Sequence, residues 1–437
     1  MKRRTGFTTG IGAPQGWHGT NERRCIDWPP QTIDDWTLAR IRSPGHRHRS
    51  MRRPRPDAET LMGVRTQFGP RGTFRPMAPS DVSVIIPILN EAEALPALLQ
   101  DLHRQVNVTI EVLVADGGSD DGSAEIVRSC PFARVVSTPR GRGRQMNRAA
   151  QDARGEYLFF LHADTRIRSS TLVASARDAM TAARHEGPDH RVAGHFPLEF
   201  IRKNPDRHTV AFRYAEEKTS FDRPHVVNGD QGLFLHRSFF AELGGFDESL
   251  DFLEDQKIAA DIRDQGRWLL LPGTVCTSAR RFESAGFFRL YTLMSIIMAL
   301  YWAGATKFFV RTPRVYPKQH DARKLLLTPF FNKIFRMFRD DYGLAGTLRL
   351  LLRIGHFVRS HSWQMFYFAD IWLRPVFGPR KYPFLKFHDM VFWPATNYRL
   401  FDAIAALGAV VWFFGVLFPI YTILDRRELR DRTSASR

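Results

Sequence analysis

Cysteine is nearly absent from this chain of 437 residues. Its three thiols, Cys25, Cys130 and Cys276, lie far apart and form no pair with metal-ligand spacing. That excludes a disulfide framework and a thiolate metal centre, and makes a reducing compartment the expected setting. The first 80 residues contain no apolar run long enough for a signal peptide. No internal repeat is visible, which excludes a solenoid.

What the chain does have is positive charge, 63 Lys and Arg against 45 Asp and Glu, or +18 net. The placement of that charge decides its meaning. Residues 1–80 carry 15 basic against 6 acidic side chains, and residues 81–310 carry 27 against 30. Residues 311–399 carry 16 against 5, and residues 400–437 carry 5 against 4. The middle of the chain is therefore slightly acidic. A folded nucleic-acid reader carries its basic face on its own domain, so no nucleic-acid partner is expected. The basic segment after residue 310 lies beside apolar stretches instead, which fits an anionic membrane surface. At 43% hydrophobic and 12% aromatic, the chain can bury a core.

Residues 1–80, rich in Arg, Pro, Gly and His without a period of 2 or 3.6, read as a disordered basic arm. From Asp81 the pattern changes. Val82–Ile86 reads as a buried strand ending at Pro87, and Ala92–Gln105 as a helix with Leu95, Leu98, Leu99 and Leu102 on one face. Glu111–Ala115 is a second strand closed by Asp116-Gly117-Gly118, with Ser119 and Ser123 as caps for the next helix. Val135–Val136 marks a third strand and Tyr157–Leu161 a fourth, with a helix bearing Met146, Ala149, Ala150 and Ala153 between them. This alternation predicts an α/β domain over residues 81–285, a Rossmann-like and mostly parallel sheet flanked by helices. Ligands then sit at the carboxyl ends of strands, where Asn90, Asp116 and Asp164 fall.

Beyond residue 285 the composition shifts again. Leu290–Thr306 is 17 residues without charge, short for a membrane span. Residues 286–399 mix aromatics with Arg and Lys, as in Phe330–Arg339, and read as helical and interfacial. Ala403–Leu424 is 22 residues without charge, which meets the criterion for a transmembrane helix within residues 400–437. Arg426, Arg427, Arg430 and Arg432 follow it and favour a cytoplasmic tail.

Three carboxylates stand at positions where they can do chemistry. Asp116 can accept hydrogen bonds from a base or ribose hydroxyl, and the glycines after it let backbone come close. Asp164 follows the apolar fourth strand and can ligate Mg²⁺ or Mn²⁺ beside phosphate oxygens. Glu254-Asp255 opens a predicted helix at Gln256–Arg263, where Asp255 can act as general base. Each has a plain structural alternative: a turn, a helix cap or dipole compensation. Arg140, Arg142 and Arg144 can neutralise phosphate charge or form a solvated loop.

The combination, in this order, resembles the family 2 glycosyltransferases, which have the GT-A fold. The matching elements are Val84-Ile85-Ile86-Pro87 with Asn90-Glu91, then Asp116-Gly117-Gly118-Ser119-Asp120-Asp121-Gly122-Ser123, His162-Ala163-Asp164 and Leu253-Glu254-Asp255. A bacterial subgroup is most similar, sharing Gly143-Arg144-Gln145-Met146-Asn147, Gly229-Asp230-Gln231-Gly232, Gly244-Gly245-Phe246 and the run from Thr277 to Glu283. The resemblance implies that Pro87, Asn90, Glu91 and Asp116 line a nucleotide pocket approached by Arg144. It implies that Asp164 binds Mg²⁺ or Mn²⁺, and that Asp255, with Glu254 beside it, is the base of a single inverting displacement. Gly229, Asp230 and Gln231, with Arg280 and Arg281, would line the donor-sugar and acceptor subsite. A UDP-sugar is the default donor for such a family.

Two departures qualify this. The family's metal motif usually reads Asp-any-Asp, and His162 occupies its first position while Asp164 is kept. His162 could instead hydrogen-bond ribose or diphosphate. Processive members carry Gln-any-any-Arg-Trp, but before Arg267-Trp268 this chain has Asp264, so single-sugar transfer is expected. The expected protein is a membrane-attached transferase with its catalytic domain at the cytoplasmic face, membrane lipids around its C-terminal region and a lipid-linked acceptor as one option. The alternatives are a nucleotidyltransferase-like enzyme, or a membrane-tethered interaction protein that has lost catalysis. The first needs a Gly-rich phosphate loop with Lys or Arg after strand one, where Leu89-Asn90-Glu91 stands instead. The second is encouraged by His162 alone.

Overall fold

The computed structural model describes residues 80–186, 190–305, 308–309, 324–379 and 381–435. The expected basic arm lies outside the described residues, apart from Ser80. Strands β1 (Val82–Ile88), β2 (Ile110–Asp116), β3 (Ala133–Ser137) and β4 (Tyr157–Phe160) alternate with helices α1 (Leu95–His103), α2 (Ser123–Arg128) and α3 (Arg142–Gln151). Then come α4 (Leu172–His185), β5 (Val192–His195), β6 (Leu198–Ile201), α5 (Thr209–Lys218), β7 (Leu233–His236) and α6 (Arg237–Glu242). The domain closes with α7 (Glu254–Gln265), β8 (Arg267–Leu270) and β9 (Val275–Ser278).

Seven strands form one sheet in the order β3-β2-β1-β4-β7-β5-β8, while β6 and β9 pair separately. Within the large sheet β7 alone is antiparallel, pairing against both β4 and β5. This is the mostly parallel sheet flanked by helices that the sequence implies. Both of its faces are buried, which is why the central strands read as continuous apolar runs. Val84 and Ile86 of β1 pack on one face and Ile85 on the other; Tyr157 and Phe159 of β4 oppose Leu158 and Phe160 in the same way.

Helix α1 begins at Leu95 rather than at Ala92, with Pro96 in its first turn, where a missing N–H leaves no bond unmade. The residues before it are held differently. The N–H of Glu91 donates to Ser123 Oγ and that of Ala92 to Asp121 Oδ2, each at 2.9 Å.

Residues after 279 form α8 (Arg280–Ala285), α9 (Phe287–Trp302), α10 (Thr328–Asp340), α11 (Gly343–Ser360) and α12 (Trp363–Trp372). After several short turns a continuous helix, α13, runs over Arg399–Ser434. It contains the apolar run Ala403–Leu424 and is long and apolar enough to cross a membrane, with 6% of its most apolar window buried. Leu293, Ile297, Phe331, Ile334, Leu350 and Tyr421 tie α9, α10, α11 and α13 into one core. Helix α12 docks on α5, where Tyr214 and Tyr367 lie 5.1 Å apart and Tyr214 Oη donates to Gln364 Oε1 at 2.8 Å. Among the described residues, 25 of the 29 exposed large apolar side chains lie beyond Phe287. The α/β domain hides its apolar surface and the helical region does not.

At the opposite, amino-terminal ends of β1 and β2, Gly155 N–H donates to Ser83 Oγ at 2.7 Å, and Ser83 Oγ donates to Glu111 Oε1 at 2.6 Å. A Cβ on Gly155 would stand 2.5 Å from Ser83 N, so backbone would have to move. Gly155→Ala is therefore expected to destabilise the domain by about 1–3 kcal/mol, read as a lowered thermal midpoint.

Candidate active site

The site is built at the carboxyl ends of β1, β2 and β4. Pro87 and Ile88 lie beside Ala115 and Asp116 in parallel register. Below them Gln145 of α3 donates from Nε2 to both Ile88 O and Ala115 O at 2.8 Å, clamping the two strand ends. The Asp116-to-Ser123 segment is more than a turn and cap. Helix α2 has Gly122 as its N-cap and no side-chain cap, because the serines face elsewhere. Ser119 Oγ accepts from Asn90 N–H at 3.0 Å, and Asn90 Oδ1 accepts from Asp120 N–H at 2.9 Å. Asn90 takes φ 59°, a left-handed conformation that asparagine tolerates. Asp116 Oδ1 accepts from Ser119 N–H at 3.0 Å. Asn90, Glu91 and Asp116 thus form one hydrogen-bonded rim. Sequence reasoning missed Asp121, Ser123 and Gln145 as its supports.

The second half of the site converges on a single 3₁₀ turn, Gly229–Gln231. Asp255, in the first turn of α7, accepts the Gly229 N–H on Oδ2 at 2.8 Å. His162 Nδ1 lies 2.6 Å from Asp230 Oδ1. A Cβ on Gly229 would come within 2.9 Å of His162 Nε2 and 3.3 Å of Asp255 Oδ2, so this contact depends on glycine. Arg142 spans the gap behind them, with Nη1 3.5 Å from His162 Nε2 and Nε 3.2 Å from Glu254 Oε1. Glu254 is 1% exposed, so its charge needs that partner. From α8, Arg280 approaches Glu91 at 3.8 Å and Glu93 at 3.6 Å.

Protonation follows from this crowding. Burial raises the Asp164 carboxyl, and the charge of Asp230 raises it further against His162 and Arg280. Burial also raises Glu91, with Asp164 adding to it and Arg280 opposing. Glu254 is raised by burial, then by Asp255, against the pull of Arg142. Asp230 goes the other way: burial would raise it, but the His162 hydrogen bond and charge, then Arg142 and Arg281, bring it below the usual range. Burial would lower His162, and the hydrogen bond and charge of Asp230 outweigh that and raise it.

The structure departs from sequence expectation at two positions. Arg144 turns outward, its Nε 3.4 Å from Glu248 Oε2, while its neighbour Arg142 enters the cleft. The first turn of α3 and the loop before it offer three candidate arginines, and only the backbone shows which points inward. Gln231 is fully buried and donates from Nε2 to Val226 O at 2.7 Å, so it supports the turn from beneath instead of presenting its side chain to a sugar. Among the described residues no group of three or more His, Cys, Asp or Glu side chains forms a complete cation cage.

A family model described as Glycosyl transferase family 2 matches residues 83–244. A PGL/p-HBAD biosynthesis glycosyltransferase of Mycobacterium bovis (strain BCG / Pasteur 1173P2) is 36% identical over 191 residues, 41% of this chain and 68% of that protein. A cholesterol galactosyltransferase of Borreliella burgdorferi is 32% identical over 96 residues, 21% of this chain and 27% of that protein. Among solved structures, S. aureus TarS 1–349 in complex with UDP overlays at a TM-score of 0.38 with 17% identity, covering 75% of this chain and 92% of that one.

Two outcomes follow from the geometry. Arg142→Ala should lower kcat/KM about tenfold or more, since the ion pair of a buried carboxylate is lost, while Arg144→Ala should stay within about twofold of wild type. In metal-free buffer, the His162–Asp230 pair contributes fully below the histidine's ordinary value of 6.5 and is lost as pH rises through its raised value. Thermal midpoints should therefore fall as pH rises above 6.5 more in wild type than in His162→Gln.

Proposed function

The chain belongs to glycosyl transferase family 2, and we propose that it transfers a single sugar from a nucleotide-diphosphate sugar to an acceptor hydroxyl at a membrane, with inversion. The observation that carries this reading is that Asp255 accepts the Gly229 N–H while Asp164, 91 positions earlier, feels the charge of Asp230 in the same turn. One carboxylate is crowded by acid and the other is held by a backbone N–H, so the two are equipped for different tasks.

The rim of Pro87, Asn90, Glu91 and Asp116 receives the nucleoside, with a UDP-sugar as the default donor. Asp164 and Glu91 would hold Mg²⁺ or Mn²⁺; both are desolvated carboxyls raised by neighbouring acid, which a hard divalent cation relieves. Water and phosphate oxygens would supply the remaining ligands of such a cation. When bound, the cation supplies neutralisation of the departing diphosphate charge. Arg142, Arg280 and Arg281 add fixed positive charge around the same cleft.

Asp255 is the base. Its oxygens already accept Gly229 N–H and Gln256 N–H at 2.8 Å each, which fixes the orientation of the carboxylate and leaves a lone pair for the acceptor's proton. The acceptor oxygen attacks the anomeric carbon as the bond to the diphosphate breaks. The nucleoside diphosphate leaves on the opposite face, and the acceptor proton passes to Asp255. Asp230, oriented by His162, lines the wall between sugar and acceptor.

Membrane attachment rests on the helical region, with its exposed apolar side chains and its basic flanks. A lipid-linked acceptor is supported by where that region docks. His361 at the end of α11 lies 3.0 Å from His225, and Arg223 reaches Asp389 at 2.6 Å, both just before the turn at Gly229. The Arg cluster from Arg426 to Arg432 favours the cytoplasmic face.

Donor hydrolysis by detergent-solubilised protein, over a panel of nucleotide sugars with Mg²⁺ or Mn²⁺, tests the proposal. Slow metal-dependent release of one nucleoside diphosphate is expected in wild type. Asp164→Ala should abolish release, and Asp255→Asn should cut transfer by at least about a hundredfold with donor binding intact. Absence of donor binding under every metal would instead favour a protein that has kept the fold and lost catalysis.

A further inference from the structure

Helix α13 has the length and composition of a membrane span, but its two ends are tied down. At its C-terminal end Asp425, 3% exposed, pairs with Arg289 of α9 and accepts the N–H groups of Leu327 and Thr328 at 2.8 Å each. Two residues beyond Arg289, Tyr291 Oη accepts from Lys218 Nζ of α5 at 3.0 Å. At its N-terminal end Asp402 accepts from Arg359 Nε of α11 at 2.6 Å. Two residues beyond Arg359, His361 Nε2 lies 3.0 Å from His225 Nδ1. Lys218 and His225 both belong to the catalytic α/β domain. Each end of the apolar run is therefore one short step from the same polar body.

Asp402 and Asp425 are 23 residues apart, or about 35 Å along a helix. Set upright, that length would span a hydrocarbon core of about 30 Å. The charged catalytic domain would then have to reach both sides of the bilayer at once, which burial of its surface charge forbids. On an uninterrupted α-helix the two carboxylates would also face about 140° apart around the axis. A π segment at Val411–Leu417 lies between them, and its wider turns reduce the rotation per residue. Both carboxylates can thus reach the protein side. Gly355 of α11 brings the backbones into contact there: a Cβ would fall 2.0 Å from Asp402 O and 2.7 Å from Ala406 N.

We propose that α13 lies flat in one leaflet, on the catalytic domain's side of the membrane, and does not cross. Its partner is an anionic bilayer surface. Leu407, Val411, Trp412 and Phe414 are exposed along its middle and enter the acyl region. Exposed Arg399 at one end, with Arg426, Arg427 and Arg430 at the other, meets anionic headgroups. Leu344, Leu348 and Leu352, exposed at i, i+4, i+8 on α11, widen the same apolar face. The inference takes from the functional reading only that the partner is a membrane, so loss of donor hydrolysis and failure of this topology are separate results.

Single cysteines at exposed sites in a full-length C25S background settle the matter, since Cys130 and Cys276 are buried. Ser170→Cys reports the catalytic domain, Ala395→Cys the start of α13 and Ser434→Cys its end, and a thermal midpoint matching wild type checks that each variant is folded. In sealed inverted vesicles, a membrane-impermeant maleimide should label all three from one face. Labelling of Ala395→Cys and Ser434→Cys from opposite faces would overturn the proposal. In a second measurement, purified protein freed of detergent should float with phosphatidylglycerol-containing vesicles. Exchanging Arg426, Arg427 and Arg430 for Glu should weaken that binding by about tenfold or more. Wild type that does not float with these vesicles would remove the anionic bilayer as the partner.

Discussion

Too much negative charge in too little water is the constraint that organises this molecule. Glu91, Asp164, Asp230, Glu254 and Asp255 meet around one end of the sheet, and three of them, Glu91, Asp164 and Glu254, are raised both by burial and by another acid. Each has its own remedy. Glu254 takes Arg142, Asp230 takes His162, Glu91 takes Arg280, and Asp255 takes a backbone N–H. What is left over is a demand for positive charge centred on Asp164, and that is the property from which the proposed donor chemistry follows. His162 belongs to the same account. Standing two residues before Asp164, it adds no further acid to an overcrowded cleft and anchors the Gly229–Gln231 turn through Asp230.

The sheet makes this crowding tolerable by fixing where every acid points. Parallel strands buried on both faces put their carboxyl ends in register, and Gln145 locks two of those ends together from beneath. Only glycine at 229 lets the backbone pass between His162 and Asp255. Side chains held by backbone donors and buried partners need little reorganisation when charge develops beside them. The same economy of motion extends outward. The helical region grips residues 223 and 225, just before the turn, so it is mechanically continuous with Gly229–Gln231.

Much of this was legible in the sequence, for physical reasons. Strands β1, β2 and β4 announced themselves because doubly buried strands are apolar without interruption, and Asp116, Asp164 and Glu254-Asp255 stood out as carboxylates at strand and helix ends. Side-chain direction was not legible. Arg142 and Arg144 share one helical turn, and a single residue's rotation decides that the first reaches Glu254 and the second Glu248. Gln231 looked like a subsite residue because of its neighbours, yet the 3₁₀ turn points it into the core. Ser119 and Ser123 looked like helix caps, yet they hold the loop at Asn90-Glu91, a contact across about thirty positions that no local pattern encodes. The uncharged run Ala403–Leu424 showed apolarity, but the carboxylates pinned at either side of it, and hence the direction of the helix, required the tertiary structure.

The central claim is that the acid-crowded cleft needs a cation to accept a diphosphate. Calorimetric titration of wild-type protein with UDP and the other common nucleoside diphosphates, with and without Mn²⁺, tests it most directly. The account predicts that one nucleotide binds with Mn²⁺ present, that its affinity falls by at least about tenfold in EDTA, and that Asp164→Asn removes the difference. Binding of equal strength with and without the cation would contradict it.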